Sequence, residues 1–161
     1  MRRTLFYAVG IMLVTAAVAA GQQPAGALSP ALRAQLQKGT FQAVTSVRGL
    51  PLGVRERMTT MFGGTLEIAE PGTPFQSSDL MVTPRLPIRR MVAAACSNDF
   101  YCLVYYERGG LAQTRYVLVF HWSPDDTRFE WGSTGAGAYK TIDDVRKALL
   151  SGAIKGQVGP W

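Results

Sequence analysis

Two cysteines are the first residues of this sequence whose types and spacing allow chemistry. Cys96 and Cys102 are separated by five residues, which differs from the two-residue spacing of thioredoxin-like redox sites. A zinc site would need two further ligands, and His121 is the only histidine in the chain. Close cysteines normally pair in an oxidising compartment. We therefore predict a structural disulfide and no metal site.

The residues between the cysteines favour a β-hairpin. Asn98 and Asp99 are typical of turns, because their side chains hydrogen-bond their own backbone and tolerate unusual dihedral angles. A hairpin centred on Asp99 places Cys96 directly opposite Cys102. The same register predicts two further cross-strand pairs: Ala94 with Val104, and Val92 with Tyr106.

His121 is the one candidate for a general base, and it precedes the turn-like run Ser123–Asp126. Strand alternation places it beside Val117 and Val119, where a half-buried structural histidine is more usual. The sequence also lacks the Gly-x-Ser-x-Gly pattern of one class of serine hydrolase. We therefore expect no catalytic residue, and a small hydrolase that uses His121 is the last of three hypotheses for function.

Two other patterns suggest binding sites but lack their defining residues. The run Gly132–Ala138 has no Gly-Lys-Ser/Thr ending and no preceding parallel strand, so we predict a strand-to-helix linker. The alternative is an anion held by its backbone amides next to the helix start at Thr141. The acid pairs Asp125–Asp126 and Asp143–Asp144 lack the alternate spacing, central Gly and final Glu of a calcium loop. Turn and capping roles explain both pairs, so we expect no cofactor.

The aromatic residues between positions 101 and 131 form the most notable group. Large aromatic side chains dominate the energetics of protein cores, yet Trp and Tyr are also enriched where proteins meet partners. We predict that part of this group forms a ligand or partner surface, made by Tyr101, Tyr105, Tyr106, His121 and Trp131.

The first twenty residues have the pattern of a secretory signal peptide. Arg2 and Arg3 precede the uncharged stretch Leu5–Ala20, which ends in small residues. This stretch is shorter than the roughly 20 residues of a membrane-spanning helix. We predict cleavage after Ala20 or one residue earlier, a flexible leader over residues 21–28, and export to the periplasm or the cell exterior. Contact with the membrane is then limited to the transient signal.

The composition is that of a globular protein with a mildly basic surface. The 161 residues include 17 Lys+Arg, 11 Asp+Glu and one His, and 47% are hydrophobic, which excludes disordered and collagen-like chains. Loss of Arg2 and Arg3 with the signal would lower the net charge from +6 to +4. A nucleic-acid site needs basic residues interleaved with exposed aromatics. The aromatics here alternate like core residues, so we expect no nucleic-acid partner.

Local signals predict three helices within one domain over residues 29–161. Ser29 and Pro30 begin the first helix, since Ser is a good N-cap and Pro suits the first helical position. A second helix follows Pro51 and ends at Gly63–Gly64. The third begins at Thr141, with acids in its first turn, and Gly152 ends it.

Consecutive strands dominate the second half of the sequence. Turn residues separate four apolar runs, and such short connections imply antiparallel neighbours. An earlier strand is predicted over Phe41–Val47, whereas Glu70–Arg90 carries four prolines and is expected to be irregular. We predict an α+β fold, an antiparallel meander of four to five strands with a C-terminal helix packed on it. The four runs are Met91–Cys96, Phe100–Glu107, Arg115–Trp122 and Thr127–Gly132.

Apolar side chains occupy both faces of the central strands, since Leu103 and Tyr105 alternate with Val104 and Tyr106. Three short helices do not obviously cover two faces, so either the Glu70–Arg90 segment packs down through its apolar residues or an aromatic surface stays open. We favour partial cover with an open edge. The apolar residues of that segment are Phe75, Leu80, Val82, Leu86 and Ile88. The leading hypothesis is a small exported, non-enzymatic binding domain for an unknown protein or small-molecule ligand. The second is an accessory subunit of a larger envelope or extracellular complex.

Overall fold

A computed structural model describes residues 26–79, 86–157 and 161 of the chain. The predicted signal peptide, residues 1–20, lies outside the described residues, as does the predicted leader up to residue 25. The described elements are, in chain order, α1 (Pro30–Lys38), β1 (Phe41–Val44), α2 (Leu52–Met61), β2 (Ile68–Ala69), β3 (Arg89–Ser97), β4 (Tyr101–Arg108), β5 (Thr114–Trp122), β6 (Thr127–Thr134) and α3 (Ile142–Ser151).

The six strands form one sheet in the order β1-β3-β4-β5-β6, with β2 also paired to β3. Strands β3 to β6 are antiparallel neighbours joined by short turns, which makes them a meander. β1 pairs antiparallel with the second half of β3, and β2 pairs parallel with its first two residues. The predicted α+β fold, with an antiparallel sheet and a C-terminal helix, is confirmed.

Side-chain caps fix the ends of the helices where the sequence predicted them. The Ser29 hydroxyl accepts a hydrogen bond from Leu32 N at 3.1 Å and begins α1. The Thr141 hydroxyl accepts one from Asp144 N at 3.2 Å and begins α3. Gly152 ends α3 with a φ of +76°, a left-handed conformation that favours glycine.

The β3–β4 hairpin has the predicted register near its turn and a different one farther away. Cys96 pairs with Cys102 and Ala94 with Val104, as expected. The predicted pair of Val92 with Tyr106 is wrong, because Met91 lies opposite Tyr106 instead. Val92 is an extra residue in β3, a β-bulge that shifts the pairing by one position.

Helices cover both faces of the sheet. On one face, α2 contributes Val54 and Met58 to a core completed by Leu50 from the segment before α2 and by Ile68 from β2. On the opposite face, α1 and α3 pack side by side over Leu103, Tyr105, Val117 and Val119. The expectation of an uncovered aromatic sheet face is therefore wrong. Irregular segments supply the cover that the short helices lack, and on the second face they contribute Leu28, Ala136 and Ile154.

The described part of the predicted leader, residues 26–28, is packed against the domain. The carbonyl oxygen of Gly26 accepts hydrogen bonds from Gly156 N and Trp131 Nε1, both at 3.0 Å. A Cβ on Gly26 would overlap the backbone of Gly156, so this close approach requires glycine. Leu28 is buried in the core beneath α1 and α3. Gly26 and Leu28 are therefore held against the domain by these contacts.

The segment between β2 and β3 is irregular where the structure describes it, as predicted, and it is tied to the sheet. The Glu70 carboxylate accepts a hydrogen bond from Val47 N at 2.6 Å. At the other end of the segment, Ile88 O accepts one from Gly109 N at 2.9 Å. Among the apolar residues through which this segment could pack onto the sheet, Leu86 is exposed. Leu80 and Val82 lie outside the described residues.

Candidate functional site

Cys96 and Cys102 form the predicted disulfide across the β3–β4 hairpin, with their Cα atoms 4.1 Å apart. Cys102 is fully buried against the α2 side of the sheet. Among the described residues no thiol is free, and no group of His, Cys, Asp or Glu side chains is placed to hold a metal ion.

Tyr105 and Tyr106 belong to the core, which corrects the prediction that they form a ligand or partner surface. Both are 0% exposed, because strands flank them and helices cover each face. The Tyr105 hydroxyl donates to Gly137 O at 2.7 Å and accepts from Tyr139 N at 3.1 Å. Burial raises the pKa of both phenols.

Trp131 is also buried and has a structural partner. Its indole N–H donates to Gly26 O and so holds the first described residues of the chain. The ring lines a cavity of about 260 Å³ together with Leu28, Leu149 and Ile154. Trp131 therefore borders a small cavity without forming an open surface.

Tyr101 and His121 are the two predicted site residues that the structure brings together at the surface. They are cross-strand partners on β4 and β5, with ring centroids 5.0 Å apart, and both are half-buried. His121 Nδ1 lies 3.5 Å from Arg128 Nη2. A guanidinium only donates, so this contact gives His121 no carboxylate to orient it and no nucleophile to activate.

The end of the sheet that carries Tyr101 and His121 also exposes other large apolar side chains. Phe100 is 44% exposed, and it adopts a φ of +64°, which is rare for an aromatic residue. Its ring meets Trp122 edge-on, with the centroids 5.4 Å apart. Leu52, in the first turn of α2, is 61% exposed. We call Leu52, Phe100 and Trp122 the apolar strip.

A groove of about 630 Å³ lies beside the apolar strip, between α2 and the β5–β6 turn. We call it the α2 groove. Its lining residues are Gly49, Pro51, Leu52, Gly53, Glu56, Arg57, Thr60, Trp122, Ser123, Pro124, Asp125, Asp126 and Thr127.

Two local features fix the walls of the α2 groove. In the β5–β6 turn, Ser123 N donates to Asp126 O at 2.7 Å, and Asp126 N donates to the Ser123 hydroxyl at 3.1 Å. On the other wall, α2 approaches the turn closely at Gly53. A Cβ on Gly53 would overlap the Thr127 hydroxyl, so glycine at this position sets the width of the groove.

Trp122 presents carbon atoms rather than its polar atom to solvent. The residue as a whole is half-buried, whereas its Nε1 is inaccessible and makes no hydrogen bond within the described residues. A buried donor without an acceptor is uncommon in folded proteins. Because the N–H is sealed, the part of the ring that reaches the α2 groove is apolar.

Charged side chains line the same groove. The lining contains three acids, Glu56, Asp125 and Asp126, and one base, Arg57. Asp126 forms an exposed ion pair with Arg128 at 3.3 Å. Within the part of the chain that the structure describes, Glu56 and Asp125 form no ion pair. The groove is thus locally acidic on a protein whose formal net charge is +6.

Sequence reasoning missed this groove, although it included Trp122 in the aromatic group. The one local signal was Phe100, an aromatic residue directly after the Asn98–Asp99 turn.

No protein-family model, curated protein or solved structure matches this chain. None of the described helices is long and apolar enough to cross a membrane.

Proposed function

We propose that this protein is an exported, non-enzymatic binding domain and that the α2 groove is its ligand site. One observation carries the proposal. The apolar strip stays exposed beside a groove of about 630 Å³, although helices cover both faces of the sheet. Ligand sites typically have volumes of about 300–1,000 Å³ and apolar linings with a few polar groups.

The energetics of the exposed side chains favour a binding role. An exposed Leu or aromatic side chain forgoes roughly 1.5–3 kcal/mol that full burial would supply. Leu52 and Phe100 are two of the four large hydrophobic side chains that are exposed among the described residues. Both lie at the end of the domain where Trp122 lines the groove. A ligand that covers them would gain the free energy that folding leaves unused.

The proposed export is supported by the predicted signal peptide and by the disulfide. Disulfides persist in oxidising compartments such as the periplasm and the cell exterior, and they are rare in the cytosol. The Cys96–Cys102 bond is compatible with such a location.

A fragment screen by NMR tests the proposed site. Small aromatic, aliphatic and guanidinium compounds are added to the ¹⁵N-labelled protein, and the backbone and indole N–H signals are followed. We expect the largest shifts at residues of the α2 groove, and we expect Trp122→Ala to abolish them.

Leu111→Ala is the matched control, because Leu111 is 99% exposed in the β4–β5 turn at the opposite end of the sheet. This variant should retain all shifts. Shifts centred on the cavity beside Trp131, or no shifts at all, would contradict the proposed site.

A further inference from the structure

We infer that the α2 groove binds a peptide segment in which a Lys or Arg side chain lies next to an apolar one. This inference rests on the proposed function and specifies its ligand. It follows from three properties of the groove: its charge, the chemistry of its floor and its dimensions.

The charge of the groove favours a cationic ligand. Glu56 and Asp125 have no ion-pair partner among the described residues, so a ligand cation meets carboxylates that are not already neutralised. Complementary charges across an interface select partners and speed their encounter. Anionic ligands, including nucleic acids, meet a net negative rim here although the protein as a whole is basic.

The floor of the groove suits the long stem and the charged head of a basic side chain. Lys and Arg lay their methylene groups along apolar surface while the charged head stays in water. Leu52 and Trp122 provide such a surface in the same groove as the acids. Trp is also the aromatic residue that attracts cations most strongly to its ring.

The same molecule uses this chemistry three times in its own packing. Guanidinium groups lie over phenyl rings at 4.2 to 4.8 Å from the ring centroids. The pairs are Arg89 with Phe62, Arg90 with Phe75 and Arg146 with Phe41. In the groove, Trp122 lacks an equivalent cation, since no cation–aromatic pair involving it occurs among the described residues.

The dimensions and the remaining base limit the ligand further. A volume of about 630 Å³ exceeds the needs of a single side chain and accommodates a short segment. Arg57 disfavours a continuous run of cations because it would repel one of them. A single basic residue flanked by apolar ones fits both features.

Three matched peptides test the inference: acetyl-Leu-Arg-Leu-amide, its citrulline analogue, which keeps the shape without the charge, and its Glu analogue. Dissociation constants are measured by NMR titration of the groove signals at low and high NaCl concentration. We expect the Arg peptide to bind most tightly and the Glu peptide least tightly. Affinity for the Arg peptide should fall as salt increases, because exposed charges are screened.

Variants assign the effect to the acids of the rim. Exposed ion pairs contribute roughly 0.2–1 kcal/mol each. Glu56→Gln and Asp125→Asn should therefore each raise the dissociation constant of the Arg peptide by about 1.5- to 5-fold. Neither variant should change affinity for the citrulline peptide. Asp79→Asn is the control, because Asp79 lies beside Gly110 at the opposite end of the sheet. It should leave all three affinities unchanged.

The possible outcomes separate this inference from the proposed function. Equal binding of the Arg and citrulline peptides in the groove would overturn the inference and leave the binding site in place. Fragment binding at the groove without binding of any peptide would have the same consequence. Absence of both peptide and fragment binding would overturn the two proposals together.

Discussion

Reduction of the Cys96–Cys102 disulfide should lower the stability of the protein without unfolding it. The bond closes a loop between residues six positions apart. By the loop-entropy relation, a loop of this size stabilises the folded state by about 2 kcal/mol. For a domain of this length, that loss corresponds to a fall in melting temperature of about 7 °C.

The fold should survive because the hairpin has other support. β3 pairs with β1 and β2 along its outer edge, and β4 pairs with β5 along its whole length. The far-UV circular dichroism spectrum of the reduced protein should therefore match that of the oxidised protein.

The assay is thermal unfolding of the wild-type protein with and without a reductant. The double variant Cys96→Ala/Cys102→Ala serves as a control that no reductant should affect. Because Cys102 is fully buried, the variant should melt below the reduced wild type, through lost packing in addition to the lost cross-link. Equal melting temperatures for the oxidised and reduced wild type would refute the reasoning, and so would loss of the folded spectrum on reduction.

Three further predictions concern packing and ionisation. A Cβ at Gly109 would overlap the backbone of Gln76, so Gly109→Ala should lower the free energy of unfolding in urea by about 3 kcal/mol. An unchanged urea midpoint would contradict this contact. Gly53→Ala should lower the free energy of unfolding of the wild type by about 1–2 kcal/mol. It should not destabilise a Thr127→Ala background, because the overlapping hydroxyl is absent there and Ala favours the helix. Equal losses in both backgrounds would show that Thr127 is not the obstacle. Burial raises the pKa of Tyr106 above the ordinary tyrosine value of 10.0, so the unfolded chain loses this proton first as pH rises. The free energy of unfolding should therefore fall above about pH 10. Urea unfolding of the wild type and of Tyr106→Phe at pH 8 and pH 10.5 measures this fall, which should be smaller in the variant.

The elements of the fold were predictable because local signals determine them. Ser29 caps α1 and Thr141 caps α3 through bonds to residues three positions away. The Asn98–Asp99 turn likewise determines the register of the two strands that it connects. Contacts between distant segments were not predictable: nothing local indicates that β1 and β2 pair with β3, or that Val92 forms a bulge.

The candidate site required tertiary information. Alternation along β4 shows that Tyr105 and Tyr106 face opposite sides of the sheet, but it does not show whether each side is covered. The α2 groove joins Leu52 to Trp122, residues from separate elements that only the packed fold brings together. Sequence alone did not distinguish Trp122, whose ring stays partly exposed, from Trp131, whose ring is buried.

The layer formed by α1 and α3 joins segments from opposite ends of the domain. Arg33 Nη1 donates to Leu150 O at 2.7 Å and Arg146 Nη2 donates to Leu36 O at 2.9 Å, across separations of 117 and 110 residues. Such contacts form only after both partners have left the ribosome, whereas the β3–β6 meander contains pairings between neighbours in sequence. During synthesis, α1 emerges before the meander, but the face that this layer covers stays without α3 until the last helix has emerged. The nascent chain cannot complete its folding before nearly all of the domain has been translated.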